Sequence, residues 1–549
     1  MSAQSPNQFP TSGERKPSFD DMLQQAEAHA IANPNIGRLP KQCESQVYVG
    51  IFFDGTGNNM HLDFEVPPPE KRKHTNVVKL YQAFRDAKPE GYFPIYIPGI
   101  GTPFPEIGDT HNKDEFINTG AMFGDKGEHR ILWAMIQLLN APQRYVKRGN
   151  FPLLPDAEAK VWCDKLAPIS VPSAMRVAQF KRWQFELQNT LYAYKPKITT
   201  LNVSVFGFSR GAAEARVFVN WLMEVCERTA NGWLFGGIQL NVQFLGLFDT
   251  VASVGLANTM GDTTASGHMS WADNTLQIHP AVRRCVHMVA AHEVRASFPL
   301  DSARVHGQYP GNVQEIMYPG AHSDVGGGYA PGAIGVYPRM GDNLSVFAGQ
   351  DMYHAARIAG VPMVLWDNLD PDIRKSLLPS NELIRAYNGY LNACGVSAGP
   401  VDEMHRQHMG LYHSYRYKWR NEFTTRKMAY RHARTAAEQQ SLLKVQNRFL
   451  QAMAFGVTPP DKTGISPVAA AQLFERKHIE LGLQMTAEGK QRMEVARYIQ
   501  PERVTPEIDF LFDWFVHDSM AGALGDGLDE FKYNIMGAAR FRRVFKGND

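Results

Sequence analysis

Short apolar segments alternate with helical patterns along the first part of the chain. VYVGIFF is followed by the turn DGTGNN and the helical pattern TNVVKLYQAFRD, and LNVSVF is followed by GFSRG and an Ala-rich helical pattern. LNVQFLGLF, CVHMVA and VQEIMY continue the series, with polar residues collected after each segment. Such alternation is typical of a parallel, doubly wound sheet, where ligands bind beyond the carboxyl ends of the strands. We therefore predict an α/β fold with its functional site at that edge.

The pattern changes on both sides of this region. Residues 1–43 are rich in Ser, Pro, Gln and Asn, which predicts a mobile N-terminal arm with one short helix. Residues 44–345 form the predicted α/β domain, which contains a helical insert at about 110–195. Residues 346–549 have mainly helical periodicity, and we expect them to form a helical region that contacts membranes or acts as a lid.

Composition excludes several classes of protein. Of the 549 residues, 44% are hydrophobic and 20% are charged, values that rule out wholesale disorder. The formal net charge of +2 gives no whole-chain reason to expect a nucleic-acid partner. The N-terminus lacks the apolar segment of a signal peptide, so we expect synthesis in the cytoplasm and, if the protein is exported, another route.

Cysteine usage does not indicate a metal site or a disulfide framework. The five cysteines are widely spread and have no metal-ligand spacing, so we expect reduced, buried thiols. DGTGNN and HSDVGGG also have too few clearly placed carboxylates for a calcium site, and we predict no metal or organic cofactor. The cysteines are Cys43, Cys163, Cys226, Cys285 and Cys394.

GFSRG is the strongest chemical motif in the chain. Gly207, Ser209 and Gly211 match GxSxG, in which the serine lies on a strained turn between a strand and a helix. The pattern alone is weak, but here it follows an apolar strand and opens a helix, as a hydrolase nucleophile requires. We predict that Ser209 is a nucleophile; the alternative is a Gly-rich helix N-terminus that packs or binds an anion.

A serine nucleophile needs a histidine base and a carboxylate that orients the base. In α/β-hydrolases these follow the serine in the order acid, then histidine, which favours Asp249 after LGLF and His322 in AHSDVGGGY. The open alternatives are Asp262 and Glu293 for the acid and His292 and His517 for the base.

The developing negative charge on a substrate oxygen needs backbone N–H donors. The residue after the nucleophile, Arg210, is the first predicted donor, and Gly55 and Thr56 of DGTGNN are the second. We expect Asp54 to order this loop by accepting backbone hydrogen bonds. Read alone, DGTGNN also fits an Asx turn or a phosphate or metal loop, and Gly326, Gly327 and Gly328 fit either a sharp turn or a phosphate loop.

Two later segments have compositions suited to a lipid surface. Residues 416–434 carry seven basic residues interleaved with aromatics, which fits anionic headgroups, nucleic acid, or a helix whose aromatics face the core. IDFLFDWFV at 508–516 fits a lid or membrane-contacting helix, although a buried core helix is favoured.

Together the motifs resemble a known family. VGIFFDGTGNN, GFSRGAAEAR, LGLFDTVASVG, AAHEVRASFPL and HSDVGGGY, in this order, are similar to the α/β-hydrolase domain of the type VI secretion lipase effectors, first family. The resemblance covers about residues 46–335, and VHDSMAG near the C-terminus is similar too. It implies an α/β-hydrolase fold and a triad of Ser209, Asp249 and His322.

The resemblance further implies phospholipase A activity on the sn-1 or sn-2 ester of membrane glycerophospholipids. It implies delivery by a type VI secretion system into the periplasm of a competing bacterium, with a spike protein and a cognate immunity protein as partners. Two other functions stay open: a catalytically silent scaffold protein of the secretion apparatus, and a serine esterase that acts on a soluble ester.

Overall fold

A central sheet with helices on both faces organises the molecule. The computed structural model describes residues 2–33, 44–111, 124–149, 151–252, 268, 270–272, 275–295, 297–337, 339–456, 465–521 and 539–545. The strands are β1 (Ala3–Gln4), β2 (Glu44–Phe53), β3 (Tyr92–Ile97), β4 (Lys197–Phe208), β5 (Glu227–Thr229), β6 (Gly232–Phe235), β7 (Ile238–Phe248), β8 (Cys285–Ala290), β9 (Leu300–Asp301), β10 (Val313–Tyr318), β11 (Ala398–Gly399) and β12 (Val544–Phe545).

The α-helices cover both faces of this sheet and continue to the C-terminal region. They are Phe19–Ala32, Asn76–Ala83, Gly127–Val146, Asp156–Leu166, Ser173–Ala193, Arg210–Val225, His322–Gly326, Ser345–Ile358, Pro371–Ser376, Asn381–Ala393, Val401–Lys418, Phe423–Arg426, Met428–Arg431, Ala436–Met453, Pro467–Glu480, Ala487–Tyr498 and Pro506–Trp514. Within the described residues, no helix combines the length and apolar character needed to cross a membrane.

The strand order explains where a ligand site is expected. The main sheet runs β11-β1-β10-β8-β7-β4-β2-β3, with the hairpin β5-β6 joined to β7. From β2 the chain first adds β3 on one side and then returns to add β4, β7, β8 and β10, all parallel, on the other side. This reversal makes a topological switch point between β2 and β4, and ligands of doubly wound sheets bind there. The predicted α/β architecture is confirmed.

Alternating side chains of the strands supply two apolar layers. On β2, Val49, Ile51 and Phe53 pack into one layer with the helices Gly127–Val146 and Arg210–Val225. Phe52, between them in sequence, points into the opposite layer, which extends into the C-terminal helices. Because this second layer contains residues from both sides of the predicted boundary at 345, the C-terminal helices share a core with the sheet.

The N-terminal segment differs from the prediction of a mobile arm. β1 pairs with β10 through Gln4 and Ile316 and extends the sheet. Phe9 is buried against Phe347, with ring centroids 4.8 Å apart, and its N–H donates to Asn388 Oδ1 at 2.8 Å. The composition of the segment favours mobility, but the buried residues Ala3 and Phe9, together with polar contacts such as the Arg15–Asp351 ion pair, attach it to the core.

The basic and aromatic segment 416–434 is partly inside the molecule, whereas Arg431 and Arg434 at its C-terminal end are exposed. Arg416 and Lys427 are buried, as are Tyr415, Tyr417 and Phe423 around them. Lys418 and Arg426 pair with Asp509, at 2.9 and 3.4 Å. The helix Pro506–Trp514, which contains most of IDFLFDWFV, buries Ile508, Leu511 and Phe512 in the core. Of the alternatives for these two segments, the structure favours core packing.

The cysteines that the structure describes are free and buried. Burial raises the pKa of the Cys163 and Cys285 thiols to about 12, so both stay protonated and unreactive near neutral pH. Cys43 lies outside the described residues. In the described part of the chain, His, Cys, Asp and Glu side chains form no group of three suited to a metal ion.

Candidate active site

Ser209 lies on the sharp turn between β4 and the helix Arg210–Val225. Its backbone has φ 58° and ψ −126°, a conformation that is strained for a residue with a side chain. A Cβ at Gly207 would lie 2.4 Å from the Gly211 oxygen, and a Cβ at Gly211 would lie 2.3 Å from the Asp54 oxygen. Glycine is therefore required on both sides of Ser209, because the backbone segments touch.

Asp249 follows β7 directly and is completely buried. Its Oδ1 accepts the Ala290 N–H at 2.8 Å, and its Oδ2 accepts a hydrogen bond from His322 Nδ1 at 2.5 Å. The Arg542 guanidinium donates to both oxygens, at 2.8 and 2.7 Å. Burial alone would raise the pKa of this carboxyl, but Arg542 and the His322 hydrogen bond hold the pKa far below its usual range. Asp249 is therefore ionised.

His322 begins a short helix after β10 and is held on several sides. Its ring packs against Phe208, with centroids 4.6 Å apart, and edge to face against Phe298 at 4.9 Å. The main-chain N–H of His322 donates to Glu293 Oε2 at 3.2 Å. Burial lowers the pKa of the imidazole, although the hydrogen bond to Asp249 acts in the opposite direction. The neutral ring donates through Nδ1, which leaves Nε2 as the acceptor.

The backbone connects Ser209 to the strand that carries Asp249. The Ser209 N–H donates to Phe248 O at 3.0 Å, and the Val251 N–H donates to Ser209 O at 3.3 Å. Asp249 and His322 are hydrogen-bonded directly, whereas the described contacts include no hydrogen bond between the Ser209 hydroxyl and the His322 ring. Such hydrogen bonds often form only when substrate is bound.

Asp54 orders the DGTGNN loop, as the sequence predicts. Its carboxylate accepts hydrogen bonds from the Gly55 N–H, the Thr75 hydroxyl and the Tyr96 hydroxyl, at 2.8, 2.7 and 2.6 Å. Burial raises the pKa of Asp54 to about 6, against the effect of these hydrogen bonds. The Gly55 N–H is therefore already used within the loop.

Arg210 joins the two predicted donor segments. Its Nε donates to Thr56 Oγ1 at 2.6 Å, so the loop after β2 is fixed to the first turn of the helix that follows Ser209. The three predicted donors, Gly55, Thr56 and Arg210, therefore lie in one continuous piece of structure next to Ser209.

A second loop packs on the first and depends on a buried arginine. A Cβ at Gly99 would lie 1.8 Å from the Gly55 oxygen, so the two backbones are in direct contact. Arg130 is fully buried and donates to Pro98 O, Gly99 O and the carboxylate of Asp109, at 2.8, 3.1 and 2.7 Å. Arg130 thus fixes the loop that supports Gly55, a role that the sequence analysis missed.

The alternative bases have other partners. His292 uses both ring nitrogens, since Nδ1 accepts the Gly320 N–H at 2.8 Å and Nε2 lies 3.0 Å from the Tyr390 hydroxyl. His517 is hydrogen-bonded through Nδ1 to Asp324 at 2.6 Å and is stacked on Tyr329. Both histidines are buried in structural contacts, whereas His322 is the one that contacts Asp249.

Of the alternative acids, Glu293 also has other partners. Glu293 accepts hydrogen bonds from Arg295 and from the Ser519 hydroxyl, and it contacts His322 only through the main-chain N–H. Burial would raise its pKa, but Arg295 lowers the pKa to about 2. Glu293 therefore supports the backbone of His322. Asp262 lies outside the described residues.

The glycines after His322 allow close packing. A Cβ at Gly326 would lie 2.0 Å from the Phe208 ring, and a Cβ at Gly327, where φ is +87°, would lie 2.8 Å from Thr75 Cα. The close backbone packing of the turn after His322 thus accounts for the glycines of this segment.

Comparison with known proteins identifies the family. The model of the catalytic domain of Tle1-like phospholipase effectors of the type VI secretion system matches residues 49–231 and 227–354. A crystal structure of an uncharacterised protein from Pseudomonas aeruginosa has 25% identity and a TM-score of 0.75, and the match covers 100% of this chain and 85% of that chain. The structure of the Tle1 effector bound to the VgrG spike has 22% identity and a TM-score of 0.27, and covers 53% of this chain and 52% of that chain. No curated protein matches this chain.

The matched segments make up more than half of the chain and include Ser209, Asp249 and His322. They confirm the resemblance that the motifs indicate. This chain belongs to the Tle1-like phospholipase effectors of the type VI secretion system.

Proposed function

We propose that the protein is a phospholipase A that uses Ser209, His322 and Asp249 as a catalytic triad. The observation that carries this proposal is the 2.5 Å hydrogen bond between Asp249 and His322 at the edge of the sheet where Ser209 lies on its strained turn. A serine between a strand and a helix, followed along the chain by an acid and a histidine, is the arrangement of α/β-hydrolases.

In the first half of the reaction, Ser209 Oγ attacks the carbonyl carbon of the sn-1 or sn-2 ester, and its proton passes to His322 Nε2. Asp249 stabilises the imidazolium that forms. The main-chain N–H groups of Thr56 and Arg210 bind the negative oxygen of the tetrahedral intermediate. His322 then returns the proton to the glycerol oxygen as the ester C–O bond breaks, and the lysophospholipid leaves.

In the second half, water attacks the acyl-serine while His322 accepts a proton from it. The intermediate collapses to a free fatty acid, and the proton returns to Ser209. Each step is an acyl transfer that needs no metal or organic cofactor.

We further propose an antibacterial role in the periplasm of a target cell, where the substrates are membrane glycerophospholipids. Membership of this effector family supports export by the type VI secretion system. A related effector has been observed on its VgrG spike, and a spike protein is the proposed delivery partner here too. A producing cell would need an immunity protein that binds the mature enzyme.

The test is fatty-acid release from mixed phospholipid vesicles, with mass spectrometry of the lysolipids to assign the ester that is cut. Ser209→Ala should reduce the rate by a factor on the order of 10⁶, because the nucleophile is lost. Ser170→Ala, at an exposed serine, is the matched control and should keep the full rate. Equal release by the wild type and Ser209→Ala would exclude this mechanism. Activity on soluble esters alone would exclude the lipid substrate, and absence of both activities would favour a scaffold.

A further inference from the structure

We propose that Arg542 is a positioning residue that fixes the carboxylate of Asp249 in the orientation that the triad requires. The inference rests on the proposed function, since it assigns Asp249 to the triad. It adds a fourth side chain, which comes from the segment that leads into β12 rather than from the α/β region that carries the motifs.

The first support is the geometry of the ion pair. Arg542 donates through Nη1 to Oδ1 and through Nη2 to Oδ2 of Asp249, at 2.8 and 2.7 Å. The planar guanidinium fork matches a carboxylate in this two-point arrangement, which fixes the plane of the acid as well as its position. With both oxygens held by Arg542, Oδ2 also accepts the hydrogen bond from His322 Nδ1.

The second support is that Arg542 is itself held in place. β12 pairs in parallel with β9, and the Leu300 N–H donates to Arg543 O at 2.9 Å. Arg542 Nε donates to Phe298 O at 2.6 Å. Since the Phe298 ring packs on the imidazole of His322, one guanidinium fixes both the acid and an aromatic wall of the base.

The third support is the set of charges around the pair. Glu293 and Arg295 neutralise each other in a two-point ion pair close to His322. His405, packed nearby, has its pKa lowered by burial to about 3 and is neutral. Among the described residues, Arg542 is the guanidinium that contacts Asp249 directly, and its removal would leave a buried carboxylate with one fewer positive charge nearby.

The experiment measures how fast a fluorophosphonate probe modifies Ser209 as pH is varied, in the full-length protein. In this reaction Ser209 Oγ forms a bond to phosphorus, the P–F bond breaks, fluoride leaves and His322 takes the serine proton. The variants are Arg542→Gln, which removes the charge, and Arg542→Lys, which keeps the charge but loses the fork. Arg543→Gln, at the exposed neighbouring arginine, is the matched control.

We expect Arg542→Gln to slow the modification about 10- to 100-fold, because a small misplacement of a triad group has effects of this size. In the plot of modification rate against pH, the fall in rate on the acidic side should also move to higher pH, since loss of the nearby cation makes the His322 imidazole more basic. Arg542→Lys should also slow the modification, but the acidic side of its pH profile should stay close to that of the wild type. Arg543→Gln should match the wild type in both respects.

Wild-type rate and pH profile in a folded Arg542→Gln protein would overturn the inference. So would an equal loss in Arg543→Gln, which would indicate a general effect of changes in the segment that leads into β12. If circular dichroism shows that Arg542→Gln is not folded, the Arg542→Lys variant is used instead. A wild-type rate in this variant overturns the inference, whereas a slower rate with an unshifted pH profile supports it. A probe that labels the wild type and Ser209→Ala alike would instead refute the proposed function.

Discussion

At the scale of single residues, Glu214 is a carboxyl in an unusual setting. It lies on the helix that follows Ser209, is fully buried, and has no hydrogen-bond partner for either oxygen in the described part of the chain. Burial raises its pKa to about 8, although Arg130 and Arg210 act against that rise. At neutral pH the folded protein therefore holds Glu214 largely as the uncharged acid.

This setting predicts a pH-dependent effect of Glu214→Gln on stability. In the unfolded chain a glutamate loses its proton near pH 4.3, whereas the folded protein keeps it until about pH 8. Between these values unfolding releases a proton, so wild-type stability falls as pH rises through this window. The amide does not titrate. Glu214→Gln should thus have a wild-type melting temperature at pH 5 and a higher one at pH 8; a difference that is the same at both pH values would contradict this prediction.

At the scale of elements, the loops that follow β2 and β3 act as one unit. The loop after β2 contains Gly55 and Thr56, and the loop after β3 contains Gly99. The Gly57 N–H donates to Ile100 O and the Gly99 N–H donates to Asn58 O, both at 2.9 Å. A substitution that separates these two loops would therefore move the proposed oxyanion donors.

Gly99→Ala should separate them, because its Cβ would lie 1.8 Å from the Gly55 oxygen. We expect a loss of about 3 kcal/mol in the free energy of unfolding and about a 10²-fold loss of esterase rate. Gly57→Ala is the control in the same loop: its Cβ meets no atom within 4 Å, and positive φ alone should cost about 1 kcal/mol. Urea unfolding and ester hydrolysis measure both effects. Equal rates in the two variants would show that the contact is not needed.

The sequence signals for the proposed triad are local. Ser209, Asp249 and His322 each follow an apolar strand, and parallel strands bring such positions to one edge of the sheet. Arg130 and Arg542 could not be predicted in the same way. Each is an arginine in a segment with no motif, and its partner lies in another part of the chain, so only the tertiary structure reveals its role.

At the scale of the whole molecule, the first and the last described segments both pack against the rest of the fold. β1 lies at the β10 side of the sheet, and β12 pairs with β9 beside the site. The apolar layer that contains Phe9 also contains Phe52 of β2 and Phe512 of the C-terminal region. The predicted division into an arm, a domain and a helical region describes the composition of these segments, but their packing is continuous.

Phe9→Ala should therefore destabilise the whole molecule. Phe9 is 2% exposed and packs on Phe347, so its truncation should cost about 3 kcal/mol in the free energy of unfolding. Phe19→Ala, at a phenylalanine that is 70% exposed, should change stability by less than about 0.5 kcal/mol. Denaturant unfolding followed by tryptophan fluorescence compares the two. A cost for Phe9→Ala as small as that for Phe19→Ala would show that the N-terminal segment is mobile after all.

The position of Arg542 has a consequence for the order in which the protein is made. A ribosome produces Ser209, Asp249 and His322 before the more than two hundred residues that lead from His322 to Arg542. At about 5 to 20 residues per second, this interval lasts about 10 to 45 s. If Arg542 has the proposed role, Asp249 of the nascent chain lacks its positioning partner during this interval. The enzyme would gain full activity only after the segment that carries Arg542 has been synthesised and Arg542 has paired with Asp249.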